Sequence, residues 1–307
     1  MSRIAFIFPG QGAQSCGMGK DFYEQSETAR QVFDKASELL GFSMTELCFT
    51  ENDRLDITEY TQAAMVTTSI AMMKVLEEKG VTPDVTAGLS LGEYCALAAA
   101  GVMSEEDAIT TVRQRGILMQ QAVPAGEGAM AAILALDAQA IEEVTDKIEG
   151  VWIANYNCPG QIVISGKKAA VEEACEKLKE AGAKRTVMLN VSGPFHSGML
   201  VEAGRKLGEV LKTVQINDPK IPYVANVNAS YVGSADQVKD LLERQVSSSV
   251  RWQQSVEAMI NDGVDTFIEI GPGKTLAGFM KKINRGVKTL NIEKFEDVDK
   301  TVEALQQ

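Results

Sequence analysis

Ser90 stands in "GLSLG" (88–92), where an apolar run gives way to an alanine-rich stretch. The five residues match G-x-S-x-G, a pattern that a chain of this length and composition should contain by chance only about 0.1 times. What makes it chemical is its place at the end of a predicted strand and the start of a predicted helix. A turn that tight demands glycine neighbours and lifts the serine hydroxyl above the sheet, beside helix N-terminal amides that have no partner of their own. Such amides can hold an oxyanion. The plainer alternative is a serine that caps the helix, with the glycines present for packing.

A serine hydroxyl attacks poorly unless a base removes its proton. The chain has a single histidine, His196, in "SGPFHSGML" (192–200). A Ser-His mechanism would therefore fix the partner, and the competing reading is a histidine that only satisfies a loop. One histidine and scattered cysteines leave no zinc-ligand spacing. Two other motifs fail: "GQGAQS" (10–15) has Ser15 where a dinucleotide fingerprint needs glycine, and "GPGKT" (271–275) has Ile268 where a phosphate loop needs one.

The elements that must position these residues belong to an ordinary globular chain. Its 307 residues are 45% hydrophobic with 8 prolines, enough for one large domain or one carrying a smaller insert. The formal charge of −12 argues against nucleic acid and anionic membrane as partners. One local exception is "KKINRGVK", with Lys281, Lys282, Arg285 and Lys288, which reads either as a solvated helix end or as a contact for an acidic partner. The opening "MSRIAFIFPGQG" is stopped by Pro9 and Gly10, too short for a signal segment or a membrane span, and reads as an edge strand of the core in a cytosolic protein. Five cysteines, odd in number and without C-x-x-C, read as reduced and mostly buried thiols.

Short β-branched runs alternate with amphipathic stretches, the signature of a parallel sheet covered by helices. Strands are expected at 4–9 and 83–90, and helices at 21–40, 61–79, from about Leu91, and from Ser104, the N-cap, to about Ala122. Residues 126–193 read as β-α-β-β-α-β, a ferredoxin-like unit: strand, helix 138–149, two strands turned by "NCPGQ", helix 167–181 and a last strand. The alternation then resumes with a helix from Gly198, a strand at "IPYVAN", helices at 235–246 and 252–262, the strand "DTFIEI" and a helix from Lys274. The two flanking parts are expected to share one sheet.

With these residues set out, the chain resembles the malonyl-CoA:acyl carrier protein transacylases of bacterial fatty acid synthesis nearly end to end. The resemblance rests on "FPGQGAQ" (8–14), "TQAAM" (61–65), "GLSLGEY" (88–94), "RQRGILMQ" (113–120), "GAMAAIL" (128–134), "NCPGQIVISG" (157–166), "GPFHS" (193–197) and "EIGPGKTL" (269–276). It implies an α/β fold: an α/β-hydrolase-like core with a mostly parallel sheet, residues 1–125 and 194–307, and an inserted ferredoxin-like subdomain, 126–193. It further implies Ser90 as the acyl-accepting nucleophile and His196 as its base. The amides of Gln11 and Leu91 would form the oxyanion hole, the main-chain carbonyl of Gln245 would orient the histidine, and Arg115 would clamp the substrate carboxylate. Arg113 would lie on another helix face, at the surface. Leu91 and Phe195 fit a preference for malonyl over larger acyl groups. Leu89 departs from the histidine that many members carry before the nucleophile.

The reaction so implied passes malonyl from malonyl-CoA through a malonyl-serine ester to the phosphopantetheine thiol of holo acyl carrier protein. It needs no cofactor and is expected to proceed in the cytoplasm on a monomer that touches neither nucleic acid nor membrane. Lys184, Arg185 and the "KKINRGVK" cations are candidates to meet the acidic carrier. A Ser-His thioesterase or esterase, a malonyl transferase serving a polyketide pathway, and a non-catalytic acyl-binding protein are the alternatives.

Overall fold

The computed structural model describes residues 2–306; Met1, which opens the first apolar stretch, and Gln307 lie outside the described residues. In chain order the first part holds β1 (Ile4–Phe8), α1 (Lys20–Gln25), α2 (Glu27–Leu40), α3 (Met44–Phe49), α4 (Thr58–Glu78), β2 (Val85–Gly88), α5 (Gly92–Ala99) and α6 (Glu105–Gln121). The middle holds β3 (Gly128–Leu134), α7 (Ala138–Thr145), β4 (Val151–Cys158), β5 (Gln161–Lys167), α8 (Lys168–Glu180) and β6 (Arg185–Met188). A 3-10 turn at Gly198–Leu200 then leads into α9 (Val201–Leu211), β7 (Tyr223–Val224), β8 (Tyr231–Val232), α10 (Ala235–Gln245), α11 (Trp252–Asn261), β9 (Thr266–Ile270), α12 (Thr275–Ile283), β10 (Lys288–Ile292) and α13 (Glu296–Leu305).

Strands from both ends of the chain make one six-stranded sheet in the order β10-β9-β1-β2-β7-β8, parallel except for β8. The flanking parts do share a sheet. The middle segment forms a separate antiparallel sheet in the order β4-β5-β3-β6. The two bodies are tied where Val250 bridges β4: its amide donates to Ala154 at 2.8 Å and its carbonyl accepts from Tyr156 at 2.9 Å.

β1 is central, between β9 and β2, which corrects the expectation of an edge strand. The reason is visible in "IAFIF": residues 5–8 are fully buried on both faces, as a continuous apolar run requires, while Pro9 and Gly10 end the strand without exposing its side. The helix expected at 21–40 is two helices. Ser26 adopts an extended conformation and its side chain accepts from the Ala29 amide at 3.2 Å, which caps α2 and ends α1. Ser104 caps α6 as expected. The strand at "IPYVAN" shrinks to two residues, because Asn226 turns its amide toward the β2 end instead of continuing the ladder. α3, β8, β10 and α13 were not foreseen, and Lys288, read with a helix end, begins β10. All five cysteines are free, with Cys16 exposed and the other four buried.

The turn from β2 into α5 depends on two glycines. A methyl on Gly88 would lie 2.0 Å from the backbone of Gly92, and one on Gly92 would lie 2.3 Å from the Phe8 carbonyl oxygen. The first contact cannot relax without moving α5 away from β2, nor the second without moving it away from β1. Gly88→Ala is therefore expected to cost about 3 kcal/mol or more, whereas alanine at exposed Gly233, where nothing lies within 4 Å, should stay within about 0.5 kcal/mol; urea unfolding followed by circular dichroism compares the two.

Candidate active site

Ser90 sits at the β2–α5 turn with φ of 55°, a left-handed conformation that costs a non-glycine residue of order 1–3 kcal/mol. Asn226 holds it there. The Asn226 side chain accepts from the Ser90 amide at 2.7 Å and donates to the Gly88 carbonyl at 2.7 Å, bracketing the turn on both sides. Leu91, not Ser90, is the N-cap residue of α5 and no side chain caps that helix, so the Ser90 hydroxyl is left for other partners.

That hydroxyl meets His196 Nε2 at 2.7 Å. His196 is also left-handed, with φ of 56°, and its Nδ1 lies 2.8 Å from the carbonyl oxygen of Gln245. A carbonyl only accepts, so Nδ1 carries the proton and Nε2 presents a lone pair to the serine. The ring is 4% exposed. Burial first, and the positive charge of Arg115 second, push its pKa down to about 3, which keeps the imidazole neutral across the neutral range.

Arg115, on α6, is 1% exposed. Its Nη1 donates to Gln62 Oε1 at 2.7 Å, and its Nη2 donates to Gln245 Oε1 at 3.0 Å and to Ser90 Oγ at 3.1 Å. Among the described residues no carboxylate lies within ion-pairing distance of it, so its charge is held by neutral oxygens in a cavity that opens to substrate. Arg113, expected at the surface, is half-buried: it lies 4.3 Å over the Tyr60 ring, pairs with Glu59 at 2.8 Å and pins α6 against α4. Stacking on aromatic rings, invisible in the helical spacing, decides that difference.

A cavity of about 540 Å³ runs between the two sheets and is lined by Gln11, Ser90, Leu91, Arg115, Phe195 and His196 among others. Among the described residues the backbone amides of Gln11 and Leu91 have no acceptor. The Gln11 side chain donates to Thr58 Oγ1 at 3.2 Å, which in turn meets Ser192 Oγ at 2.6 Å. Gln11, Ser90, Leu91, Arg115, Phe195 and His196 therefore meet at one place, with Gln245 joined to them through its main chain and its side chain, whereas Arg113 and the exposed cations lie outside the cavity lining. Gln62, Glu93 and Asn226 were missed. Gln62 lies within the "TQAAM" motif and Glu93 within "GLSLGEY", but only the folded chain brings Asn226 to the turn. Among the described residues no group of three or more His, Cys, Asp or Glu could hold a metal ion, and no helix is long and apolar enough to cross a membrane.

The neutral base has a measurable signature. Labelling of Ser90 by a fluorophosphonate should persist with little loss down to about pH 5, far below the ordinary histidine value of about 6.5. In Arg115→Met a neighbouring positive charge is gone, protonation of His196 becomes easier, and the acid limb should move upward.

The chain matches the acyl transferase domain family over residues 5–299. It is 50% identical to the malonyl CoA-acyl carrier protein transacylase of Bacillus subtilis, covering 100% of this chain and 98% of that one. The crystal structure of the malonyl CoA-acyl carrier protein transacylase from Clostridium perfringens superposes with a TM-score of 0.96 at 44% identity, covering 99% of this chain and 98% of the other. A malonyl-transacylase in complex with its type II PKS acyl-carrier protein superposes with a TM-score of 0.96 at 38% identity, over 99% and 100% of the two chains. This chain belongs to the acyl transferase family, among the malonyl CoA-acyl carrier protein transacylases.

Proposed function

We propose that this protein transfers the malonyl group from malonyl-CoA to the phosphopantetheine thiol of acyl carrier protein, supplying fatty acid elongation. The observation that carries the reading is a buried arginine, without a carboxylate of its own, donating to the hydroxyl of an elbow serine that is paired with a neutral histidine. Malonyl ends in a carboxylate, which a planar guanidinium takes with two charge-assisted hydrogen bonds.

In the first half-reaction His196 Nε2 takes the Ser90 proton as Oγ attacks the thioester carbon. The oxyanion is held by the free amides of Gln11 and Leu91; one such donor contributes about 3 kcal/mol. Collapse breaks the carbon–sulfur bond, and His196 returns the proton to the CoA thiolate. The malonyl-serine ester is then attacked by the carrier thiol along the same path reversed, a double displacement. Gln245 holds the imidazole through its carbonyl, in place of the carboxylate that hydrolases use. Phe195 and Leu91, both buried at the cavity wall, leave little room for a methyl branch, which is worth about 1–3 kcal/mol of preference. A hydrolase would have no use for a buried cation at the acyl site.

We assign residues 1–125 and 194–307 to an α/β-hydrolase-like core and 126–193 to a ferredoxin-like subdomain. The strand order β4-β5-β3-β6, with α7 and α8 as crossovers, supports the second name, and the elbow on a mostly parallel sheet supports the first. The thioester supplies the activated acyl group, so the reaction calls for no cofactor. One chain completes the site, in keeping with a monomer, and the free thiols suit the cytoplasm.

The acceptor is met at the cavity mouth. Lys282 donates to Gln161 Oε1 at 3.3 Å, and Gln161 lines the cavity. Arg185 shares a cross-strand row with Leu134 and Gln161 and so projects from the same sheet face. Lys281 and Lys282 also close the last turn of α12, where cations are favourable. Lys184 precedes Arg185 and is exposed.

Intact mass after brief exposure to malonyl-CoA should show a malonyl adduct on Ser90 that moves to holo carrier protein when this is added; decay to malonate regardless of carrier would overturn the transferase reading. Arg115→Met should lower kcat/KM for malonyl-CoA about 100-fold, with acetyl-CoA much less affected. The double reversal Arg185→Glu, Lys282→Glu should raise KM for carrier protein several times more than KM for malonyl-CoA in steady-state assays.

A further inference from the structure

We propose that Glu93, acting through the side-chain amide of Gln245, is a positioning residue that sets Arg115 for a carboxylate and locks it to the serine turn; this rests on the malonyl reading above. Glu93 is 1% exposed and Gln245 and Asn226 are fully buried. The Gln245 Nε2 group donates to Glu93 Oε2 at 2.7 Å and to the Ser90 carbonyl at 3.0 Å. With both hydrogens so used, its Oε1 must face the other way, where it accepts from Arg115 Nη2 at 3.0 Å. A flipped amide would set its NH2 against the guanidinium and its oxygen against a carboxyl and a carbonyl.

Glu93 fixes a second amide as well. The Asn226 backbone amide donates to the same Oε2 at 3.1 Å, and the Asn226 side chain is the one that brackets the turn. The carboxyl thus orients the Gln245 amide, which bonds the Ser90 carbonyl and aims Arg115, and it anchors the backbone from which the Asn226 side chain reaches the turn. The placement has a chemical logic. A carboxylate touching Arg115 directly would occupy the position of the malonyl carboxylate, whereas one amide away it orients the guanidinium and leaves that position open. What the geometry requires of Glu93 is an acceptor oxygen in a fixed place. Burial pushes its carboxyl up to about 7, and Oε2 can accept in either protonation state. Glutamine at this position keeps such an oxygen, and alanine does not.

The test is the ratio of kcat/KM for malonyl-CoA to that for acetyl-CoA, which has no carboxylate for Arg115. Glu93→Ala is expected to lower the ratio about tenfold, in keeping with a misaligned hydrogen bond to a charged group, and Glu93→Gln to stay within about twofold of the parent. Gln245→Met keeps the main-chain carbonyl that holds His196 and removes only the amide link; it should lower the ratio as Glu93→Ala does, and it decides the matter if Glu93→Ala does not fold. A residue needed only for stability would lower the melting temperature and slow both substrates alike. An unchanged ratio in folded Gln245→Met or Glu93→Ala overturns the proposal, as does an equal fall in Glu93→Gln. Acylation of the parent Ser90 by malonyl-CoA is measured alongside: its absence overturns the functional reading itself, whereas normal acylation with unchanged variant ratios overturns only the positioning role.

Discussion

A guanidinium buried without a carboxylate against it is the interaction around which the site is arranged. Removing such a charge from water costs several kcal/mol unless hydrogen bonds and nearby dipoles offset it. Here the oxygens of Gln62, Gln245 and Ser90 accept hydrogen bonds from its two Nη atoms, the buried Nε has no partner among the described residues, and the Tyr94 ring lies 5.9 Å from its centre. These partners hold Arg115 in place while leaving its positive charge uncancelled. The same guanidinium helps keep His196 neutral and donates to the Ser90 hydroxyl. One cation therefore presents a positive charge to the cavity and favours the neutral state of the histidine.

Holding that arrangement requires a strained backbone on a stiff frame. Ser90 and His196 both sit in left-handed conformations that side chains rarely adopt, and they belong to segments about a hundred residues apart in the chain. The frame comes from the buried parallel strands, from the contact of Gly88 and Gly92 with the β1 end, and from the Asn226 bracket. The antiparallel sheet closes the other wall of the cavity through Met130, Ala132 and Val163, and its bond to Val250 fixes it against the core. Strain at the two reacting residues persists because each neighbour that could relieve it is itself fixed.

Local pattern and tertiary outcome part company at identifiable places. The apolar run of β1 carried its own evidence of burial on both faces although it was read as an edge; a chain end lying between β2 and a strand some 260 residues later is a long-range pairing that no local signal reports. Ser26 is a good N-cap within an otherwise helical stretch, and the split between α1 and α2 was legible there. Arg113 and Arg115 are two residues apart on one helix, and spacing put them on different faces. Which face met rings and which met the cavity was settled by α4 and by the serine turn. β10 and α13 lie in a charged C-terminal stretch where Leu290 and Ile292 alternate and Val298, Val302 and Leu305 recur at helical spacing, so both elements were legible there.

The sequence by itself singled out an elbow serine and the one histidine, the alternation that builds a mostly parallel sheet with a separate middle unit, and, by resemblance, Arg115 and the acyl transferase family. These are properties of residue type and short spacing, which one chain segment can express alone. Only the tertiary structure decided that the Gln245 side chain would join Arg115 to Ser90, that Asn226 would bracket the turn, and that Glu93 would accept from the Gln245 side-chain amide and the Asn226 backbone. Those contacts span more than a hundred residues of chain, and a buried amide carries no sign of its partners until the fold removes water and leaves it one way to satisfy every donor and acceptor.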